Sequence, residues 1–269
     1  FGSCFTIVFL FLINAIFRGA GDASLAMRAL ILANCINIVL DPCLIYGYGP
    51  FPELGIEGAA IATNIGRGVG VLYGLYYLCG GGGKIRLHIV NLVFQMPVIV
   101  ALLRISIGGV SQFLVSTASW VFLMQIVSGF GSAAVAGYTI GVRIVMFSIL
   151  PAWGLSNAVA TLVGQNLGAG QPDRAEASVW YIVKYNAIYM GFASLMILLF
   201  TRSIVGLFTD EAAVVEYAVQ CLTIFAFAFV AWGAGMALSQ AFNGAGDTMT
   251  PTWINVFCFW VVQMPLAYF

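Results

Sequence analysis

The sequence predicts an all-α protein that crosses a membrane several times. Hydrophobic residues make up 62% of the 269 residues and charged residues only 7%, whereas a soluble domain is about a quarter charged. The apolar residues form long runs, many of them near or above the roughly 20 residues that a spanning helix needs. Turns rich in glycine and proline separate these runs.

Eight apolar segments follow one another along the chain. In chain order they are 3–17, 25–48, 55–79, 96–128, 131–163, 177–200, 213–240 and 252–269. The first residue is Phe1 and both ends of the sequence fall inside apolar runs, so we expect a piece of a longer protein. The segment 96–128 exceeds one perpendicular span, which indicates a tilted helix or first turns that lie in the membrane interface.

Basic residues in the connectors support this count, because they favour the cytoplasmic side. If the connector after the first segment is cytoplasmic, Arg202 is the only basic connector residue that falls on the opposite side of the membrane. The basic residues that fall on the cytoplasmic side are Arg18, Arg28, Lys84, Arg86, Arg104 and Arg174. A missed or extra helix in the count would have placed basic residues on both sides of the membrane.

A short motif occurs twice at the same side of the membrane. Phe17–Asp22 reads Phe-Arg-Gly-Ala-Gly-Asp, and Phe242–Asp247 reads Phe-Asn-Gly-Ala-Gly-Asp. Repeats of equal orientation are typical of two bundles related by an axis along the membrane normal. We therefore predict two six-helix bundles related by pseudo-two-fold symmetry, partly truncated at both ends in this chain.

Composition excludes several functional classes. The formal net charge is zero, so no basic field suggests a nucleic-acid partner. The six cysteines form no Cys-x-x-Cys pair and His88 is the only histidine, which argues against a metal centre or another cofactor. A phosphate-binding loop is also absent. We expect neither direct use of ATP nor an enzyme, because an integral membrane enzyme would need clustered catalytic side chains.

The polar pair Asn37 and Asp41 stands inside an apolar run. An ionisable group at membrane depth costs about 2.5–3.5 kcal/mol on insertion, so each is a functional candidate. Pro42 removes a backbone donor next to the carboxylate, and Asn37 lies four residues earlier on the same helical face. Their oxygens could bind Na⁺ or hold a proton. The alternative for Asp41 is a capping or luminal carboxylate, and for Asn37 a hydrogen bond between helices.

Five motifs in a fixed order, two of them already described, resemble the multidrug and toxic compound extrusion (MATE) family over nearly all of the chain. The motifs are Phe17–Asp22, Asn37–Pro42, Gly55–Thr63, Pro151–Ala158 and Val163–Gly170. The resemblance implies that the segments are helices four to eleven of twelve. Residues 1–79 would then complete an N-terminal lobe, 80–103 would be a cytoplasmic linker, and 104–269 would belong to a C-terminal lobe.

The resemblance also implies a cation-coupling site in the N-terminal lobe. Its members would be Asp41, Asn37, Thr63 and Asn14, together with an acidic residue of the family's first helix, which this sequence does not include. For Asn14, a purely structural hydrogen bond is the alternative. Arg67 lies one turn after Thr63 and would repel a bound cation, so it either points elsewhere or pairs with a carboxylate.

The C-terminal lobe offers aromatic and amide side chains for a substrate. Ser116 and Trp232 stand in or near the places where one branch of the family has acidic residues, so we do not expect coupling there. Aromatic surface holds flat organic cations through stacking and cation–π contact, although ordinary helix packing also uses aromatic residues. The predicted substrate-binding residues are Gln112, Trp120, Trp153 and Trp232.

The resemblance therefore predicts a secondary antiporter that exports cationic or amphipathic drugs in exchange for H⁺ or Na⁺. The alternative is a flippase for a lipid-linked oligosaccharide, which shares the two-lobed architecture of the wider superfamily. We expect a multi-pass protein of a prokaryotic inner membrane. Its partners would be the lipid bilayer and a small organic substrate, and it would be a monomer. No metal is expected beyond Na⁺ at Asp41 and Asn37.

Overall fold

The computed structural model describes residues 2–80, 82–87 and 94–268, and these residues form helices joined by turns. This confirms the predicted all-α class. The chain divides into two compact units, Phe1–Phe94 and Gln95–Phe269. His88 lies outside the described residues.

The first unit contains three helices, α1 (Gly2–Gly19), α2 (Ala23–Tyr46) and α3 (Ile56–Gly80). Helix α3 packs against both of the others. Its buried face carries glycine at positions 58, 66, 70 and 74, which lets the helix backbones approach closely, as is common in membranes. A cluster that includes Phe17, Leu25 and Leu78 forms the apolar core of this unit.

The second unit begins with four long helices, α4 (Met96–Ser128), α5 (Ser132–Gly168), α6 (Pro172–Gly206) and α7 (Ala212–Gly244). It ends with α8 (Met249–Asn255), a π-helical segment (Val256–Gln263) and α9 (Met264–Tyr268). Helix α5 packs against α6 and α7, and α4 packs against α8 and the π-helical segment. The core between α5, α6 and α7 contains Met190, Leu222 and Phe229, which are fully buried.

Each of the eight predicted segments overlaps helical residues, although residues 47–48, 55 and 131 lie outside the helices and Phe269 lies outside the described residues. By length and composition, five described helices can cross a membrane, namely α2, α4, α5, α6 and α7. Helix α1 is a shorter apolar helix, and the last predicted segment is divided between α8, the π-helical segment and α9. Residues 96–103, part of the predicted linker, are helical in α4. The assignment of these ranges to two symmetric lobes stays a prediction.

The repeated motif is a helix C-terminus of one fixed geometry. The N–H of Asp22 donates to the carbonyl of Phe17 at 2.8 Å, and the N–H of Asp247 donates to that of Phe242 at 3.0 Å. A hydrogen bond from the N–H of the sixth residue to the carbonyl of the first is typical of the Schellman motif. This motif needs a residue in the left-handed backbone conformation just after the helix. A third copy, Asn166–Gln171, closes in the same way at 2.9 Å. Its Gly-Ala-Gly core was the only sequence signal for it.

Asp247 also caps the helix that follows its turn. Its carboxylate accepts hydrogen bonds from the N–H groups of Met249 and Thr250 and from the Thr250 hydroxyl. These bonds lower the pKa of Asp247, with the Thr250 hydroxyl as the largest cause. Because the folded-state pKa is depressed, the stabilisation is present above the unfolded pKa of Asp and is lost as the pH falls through the folded value.

We expect Gly170→Ala to destabilise the protein and Gly168→Ala to leave its stability unchanged or higher. Gly170 has φ +70°, and no heavy atom lies within 4 Å of the position of an added Cβ. The cost therefore arises from the backbone conformation alone, about 1–2 kcal/mol. Gly168 is helical and equally open, so alanine fits there. Thermal unfolding of both variants in detergent measures the difference, and equal midpoints would contradict this account.

Candidate functional site

Three of the four predicted cation-coupling residues form one hydrogen-bonded network in the first unit. The Asn37 amide nitrogen donates to a carboxylate oxygen of Asp41 at 3.2 Å and lies 3.2 Å from the Thr63 hydroxyl. The Thr63 hydroxyl donates to the carbonyl of Ala59 at 2.8 Å, so it accepts from Asn37. Helix α2 thus supplies the amide and the carboxylate, and α3 supplies the hydroxyl.

The network leaves oxygen atoms free for a ligand. Within the described part of the chain, the Asn37 amide oxygen and the second carboxylate oxygen of Asp41 have no hydrogen-bond partner. Helix α2 continues past Pro42 to Tyr46 and is capped by Gly47, so Asp41 does not cap it. Two such oxygens from one helical face can bind a small hard cation or share a proton.

A cavity of about 210 Å³ adjoins this network between α1, α2 and α3. Its polar lining consists of Asn14, Asn34, Asn37, Thr63 and Arg67. The apolar lining consists of Ile7, Leu10, Phe11, Leu30 and Ala33. Asp41 is not among the lining residues and is connected to the cavity through its hydrogen bond with Asn37. The structure therefore brings all four predicted residues to the cavity or its immediate neighbour.

Asn14 is the most unusual residue of this cavity. Its side chain is 1% exposed, and neither its amide nitrogen nor its amide oxygen has a hydrogen-bond partner among the residues that the structure describes. Burying such a group without a partner costs about 1–3 kcal/mol. A water molecule, an ion or a further protein group in the cavity would remove that cost. Helix α1 is hydrogen-bonded to α3 through Thr6 and Asn64, but within the described residues Asn14 itself makes no such bond, which was the alternative for this residue.

Arg67 lines the same cavity as Thr63. At least part of its side chain therefore borders the cavity, and it forms no ion pair with any residue that the structure describes. Its guanidinium is charged at every physiological pH. The cavity thus combines a fixed positive charge with neutral amides and, through Asn37, one titratable carboxylate. A cation placed near the Arg67 guanidinium would be repelled by it.

A second cavity, of about 790 Å³, lies entirely within the second unit. It is bounded by α4, α5 and α7 and by residues 254–263. Of the four predicted substrate-binding residues, Gln112, Trp153 and Trp232 line it, and Trp120 does not. The lining residues that sequence reasoning missed include Ser239, Asn255 and Gln263. Asn255 is the last residue of α8, and Gln263 ends the π-helical segment, whose course changes which side chains share a face.

A buried amide joins the helices behind this second cavity. The Asn186 side chain is fully buried, and its nitrogen donates to the Ser156 hydroxyl at 2.9 Å and to the Gly233 carbonyl at 3.0 Å. These bonds connect α6 to α5 and α7. Sequence reasoning did not select Asn186, because one amide in a long apolar helix gives no sign of its partners.

Comparison with known proteins agrees with this architecture. The family model MatE matches residues 109–269, which is more than half of the chain. This chain belongs to the MATE family. It is therefore part of a multi-pass integral membrane protein, and the resemblance drawn from the five motifs is confirmed.

Similar proteins carry multidrug resistance names. The chain is 29% identical to the probable multidrug resistance protein YoeA of Bacillus subtilis, over 93% of this chain and 55% of that protein. It is 30% identical to the probable multidrug resistance protein NorM of Thermotoga maritima, over 95% of this chain and 55% of that protein. The chain spans about half the length of these MATE relatives.

Solved MATE structures share the fold. The chain superposes with a TM-score of 0.91 and 28% identity on the outward-facing conformation of a multidrug resistance MATE family transporter of the MOP superfamily, covering 99% of this chain and 59% of that one. A MOP superfamily transporter from Pyrococcus furiosus, described as having a binding pocket of reverse polarity, gives a TM-score of 0.90 at 27% identity, over 99% of this chain and 59% of that one.

Proposed function

We propose that the MATE protein to which this chain belongs is a secondary antiporter that exports cationic or amphipathic drug-like compounds in exchange for H⁺ or Na⁺. The observation that carries the proposal is the network of Asp41, Asn37 and Thr63 beside a cavity that contains the unpartnered Asn14. The multidrug resistance names of the relatives support drug-like compounds as the cargo.

An antiporter needs a group that changes charge when it exchanges its coupling ion. Asp41 is the titratable member of the network, and its hydrogen bond to Asn37 links its protonation state to α3 through Thr63. Protonation removes the charge that the Asn37 N–H group is stabilising, so it weakens that bond. The packing of α2 on α3 then differs between the two states, which is how one proton can bias a conformational equilibrium.

Arg67 favours H⁺ over Na⁺ as the coupling ion. A sodium ion beside Asn37 and Thr63 would add a second fixed positive charge to the cavity that Arg67 lines. A proton on Asp41 instead gives a neutral carboxylic acid and adds no free ion.

Transport in reconstituted vesicles tests the proposal. The whole protein is reconstituted, a pH gradient and a Na⁺ gradient are imposed separately, and the movement of fluorescent ethidium is followed. We expect the pH gradient to drive export and the Na⁺ gradient to drive little. Export that follows Na⁺ alone would contradict the argument from Arg67, and ethidium movement that ignores both gradients would contradict antiport.

The flippase alternative gains no support from the cavities. A lipid-linked oligosaccharide carries phosphate groups, for which basic side chains are needed. Among the described residues, Arg67 is the single basic residue lining the first cavity, and none lines the second. Since the named relatives are bacterial, we propose a prokaryotic inner membrane as the location. We also retain the expectations of a monomer, of no cofactor and of no enzymatic activity.

A further inference from the structure

We infer that the cavity of the second unit binds an uncharged, flat organic molecule that carries both hydrogen-bond donors and acceptors. The inference rests on the proposed export function, because it names the class of cargo. It departs from the expectation that this part of the chain selects cations. Composition, stacking surface and free amides of the lining each support it.

The described lining of this cavity contains no Asp, Glu, Lys, Arg or His side chain. It consists of Gly109, Gln112, Phe113, Ser116, Trp153, Ser156, Phe225, Trp232, Gly235, Met236, Ser239, Gln240, Ile254, Asn255, Cys258, Phe259 and Gln263. An organic cation that leaves water for this space would find no carboxylate to pair with. Cation–π contacts return less free energy than the desolvation of an unpaired ion costs. The cavity therefore discriminates against net charge.

Aromatic rings supply a surface for a flat molecule. Phe113, Trp153, Phe225 and Trp232 come from three different helices and line the same space. The ring centres of Phe225 and Trp232 lie 6.0 Å apart, and their planes are inclined by 31°. The two rings are therefore closer to parallel than to perpendicular. Stacking on such faces needs no charge on the ligand. Met236 beside them adapts to differences in ligand outline.

Unpaired amides supply the hydrogen bonds. Among the described residues, the side chains of Gln112 and Asn255 have no hydrogen-bond partner, and the Gln263 nitrogen is also free. Each free amide offers donors, and those of Gln112 and Asn255 also offer an acceptor. A ligand with a lactam or similar amide edge satisfies both kinds of group. A cation that only donates would leave the amide donors without partners.

Gln240 also lines this cavity, but its side-chain amide is already hydrogen-bonded to the protein. Gln240 donates to Asn157 at 3.2 Å and accepts from Asn243 at 3.2 Å. Both ends of its amide are therefore engaged by the protein, so it has less hydrogen-bonding capacity left for a ligand than a free amide has. The contrast with Gln112 and Asn255 indicates which side chains the ligand would contact.

The test compares two ligands of similar size and shape. Acridone is flat and uncharged and carries one N–H donor and one carbonyl acceptor, whereas 9-aminoacridine is a flat cation at neutral pH. Binding of each to the whole purified protein is measured by fluorescence titration in detergent. We expect acridone to bind about tenfold more tightly. Equal or tighter binding of 9-aminoacridine, or no binding of acridone, would overturn the inference.

Variants locate the binding in the cavity. Gln112→Leu should weaken acridone binding about tenfold, whereas Gln220→Leu, on α7 outside the lining, should leave it unchanged. Ser239→Asp places a carboxylate in the cavity and should reverse the preference in favour of 9-aminoacridine. Acridone binding that is unaffected by Gln112→Leu and a preference that survives Ser239→Asp would each place the ligand elsewhere.

Vesicle transport separates this inference from the proposed function. If an ion gradient drives export of 9-aminoacridine but acridone does not bind, antiport stands and the inference is wrong. If acridone binds with the expected response to Gln112→Leu but neither gradient drives export of any compound, the binding site stands and antiport is wrong. The two failures therefore give different results.

Discussion

The variant Asp41→Asn is expected to reduce ion-driven export to about a tenth or less of the normal rate, because an amide cannot exchange a proton. Asparagine keeps the shape of the side chain and can still bond to Asn37. Insertion and folding should therefore be normal, while the change of charge that couples ion to cargo is lost. Export driven by an imposed pH gradient in vesicles, normalised to the amount of inserted protein, is the measurement.

Two other variants control this experiment. Asn37→Ala removes the bond to Asp41 and the bond to Thr63 but leaves the carboxylate, so we expect a smaller loss than for Asp41→Asn. Asp173→Asn makes the same chemical change on an exposed aspartate in the first turn of α6 and should export normally. Ion-driven export that persists in a correctly inserted Asp41→Asn protein would assign coupling to a residue outside this chain.

The sequence was sufficient for the local part of this site. Residues four apart share a helical face, so the contact between Asn37 and Asp41 followed from their spacing. The part played by Thr63 came from the resemblance, since no spacing rule connects residues on different helices. The unpartnered state of Asn14 and the position of Arg67 could not be predicted. Both depend on how closely α1, α2 and α3 approach one another.

The second cavity shows more clearly that contacts between helices could not be predicted from the sequence. Its lining residues range from Gly109 to Gln263, and only the packing of five elements brings them together. Trp120 and Trp153 look equivalent in the sequence, but only Trp153 lines the cavity. The absence of charged side chains from the lining depends on which residues the fold brings together, so it could not be predicted from any single residue.

The close approach of α2 and α3 leads to the second large effect, which we expect for Gly66→Ala. A Cβ at Gly66 would lie 2.6 Å from the Ala33 carbonyl oxygen and 3.4 Å from the Asn37 Cβ. The first contact is with backbone, which cannot rotate away as a flexible side chain could, so α2 must move. Overpacking of this kind costs about 1–3 kcal/mol.

The matched control is Gly68→Ala, two residues further along the same helix, where no heavy atom lies within 4 Å of an added Cβ. Alanine there gains about 0.5–1 kcal/mol of helix stability. Thermal unfolding in detergent should therefore show a lower midpoint for Gly66→Ala and an unchanged or higher one for Gly68→Ala. Equal midpoints would show that α2 and α3 are not held in close contact.

Coupling should fall along with stability in Gly66→Ala, because the displaced backbone is that of Ala33 and its neighbour on the next turn, Asn37. Moving Asn37 away from α3 lengthens its 3.2 Å contact with Thr63, and hydrogen bonds weaken steeply with poor geometry. We therefore expect reduced ion-driven export even at temperatures where the variant is fully folded. If the variant is less stable but exports normally when folded, the contact between α2 and α3 is not needed for coupling. Asp41 and Asn37 on α2 would then carry coupling without Thr63.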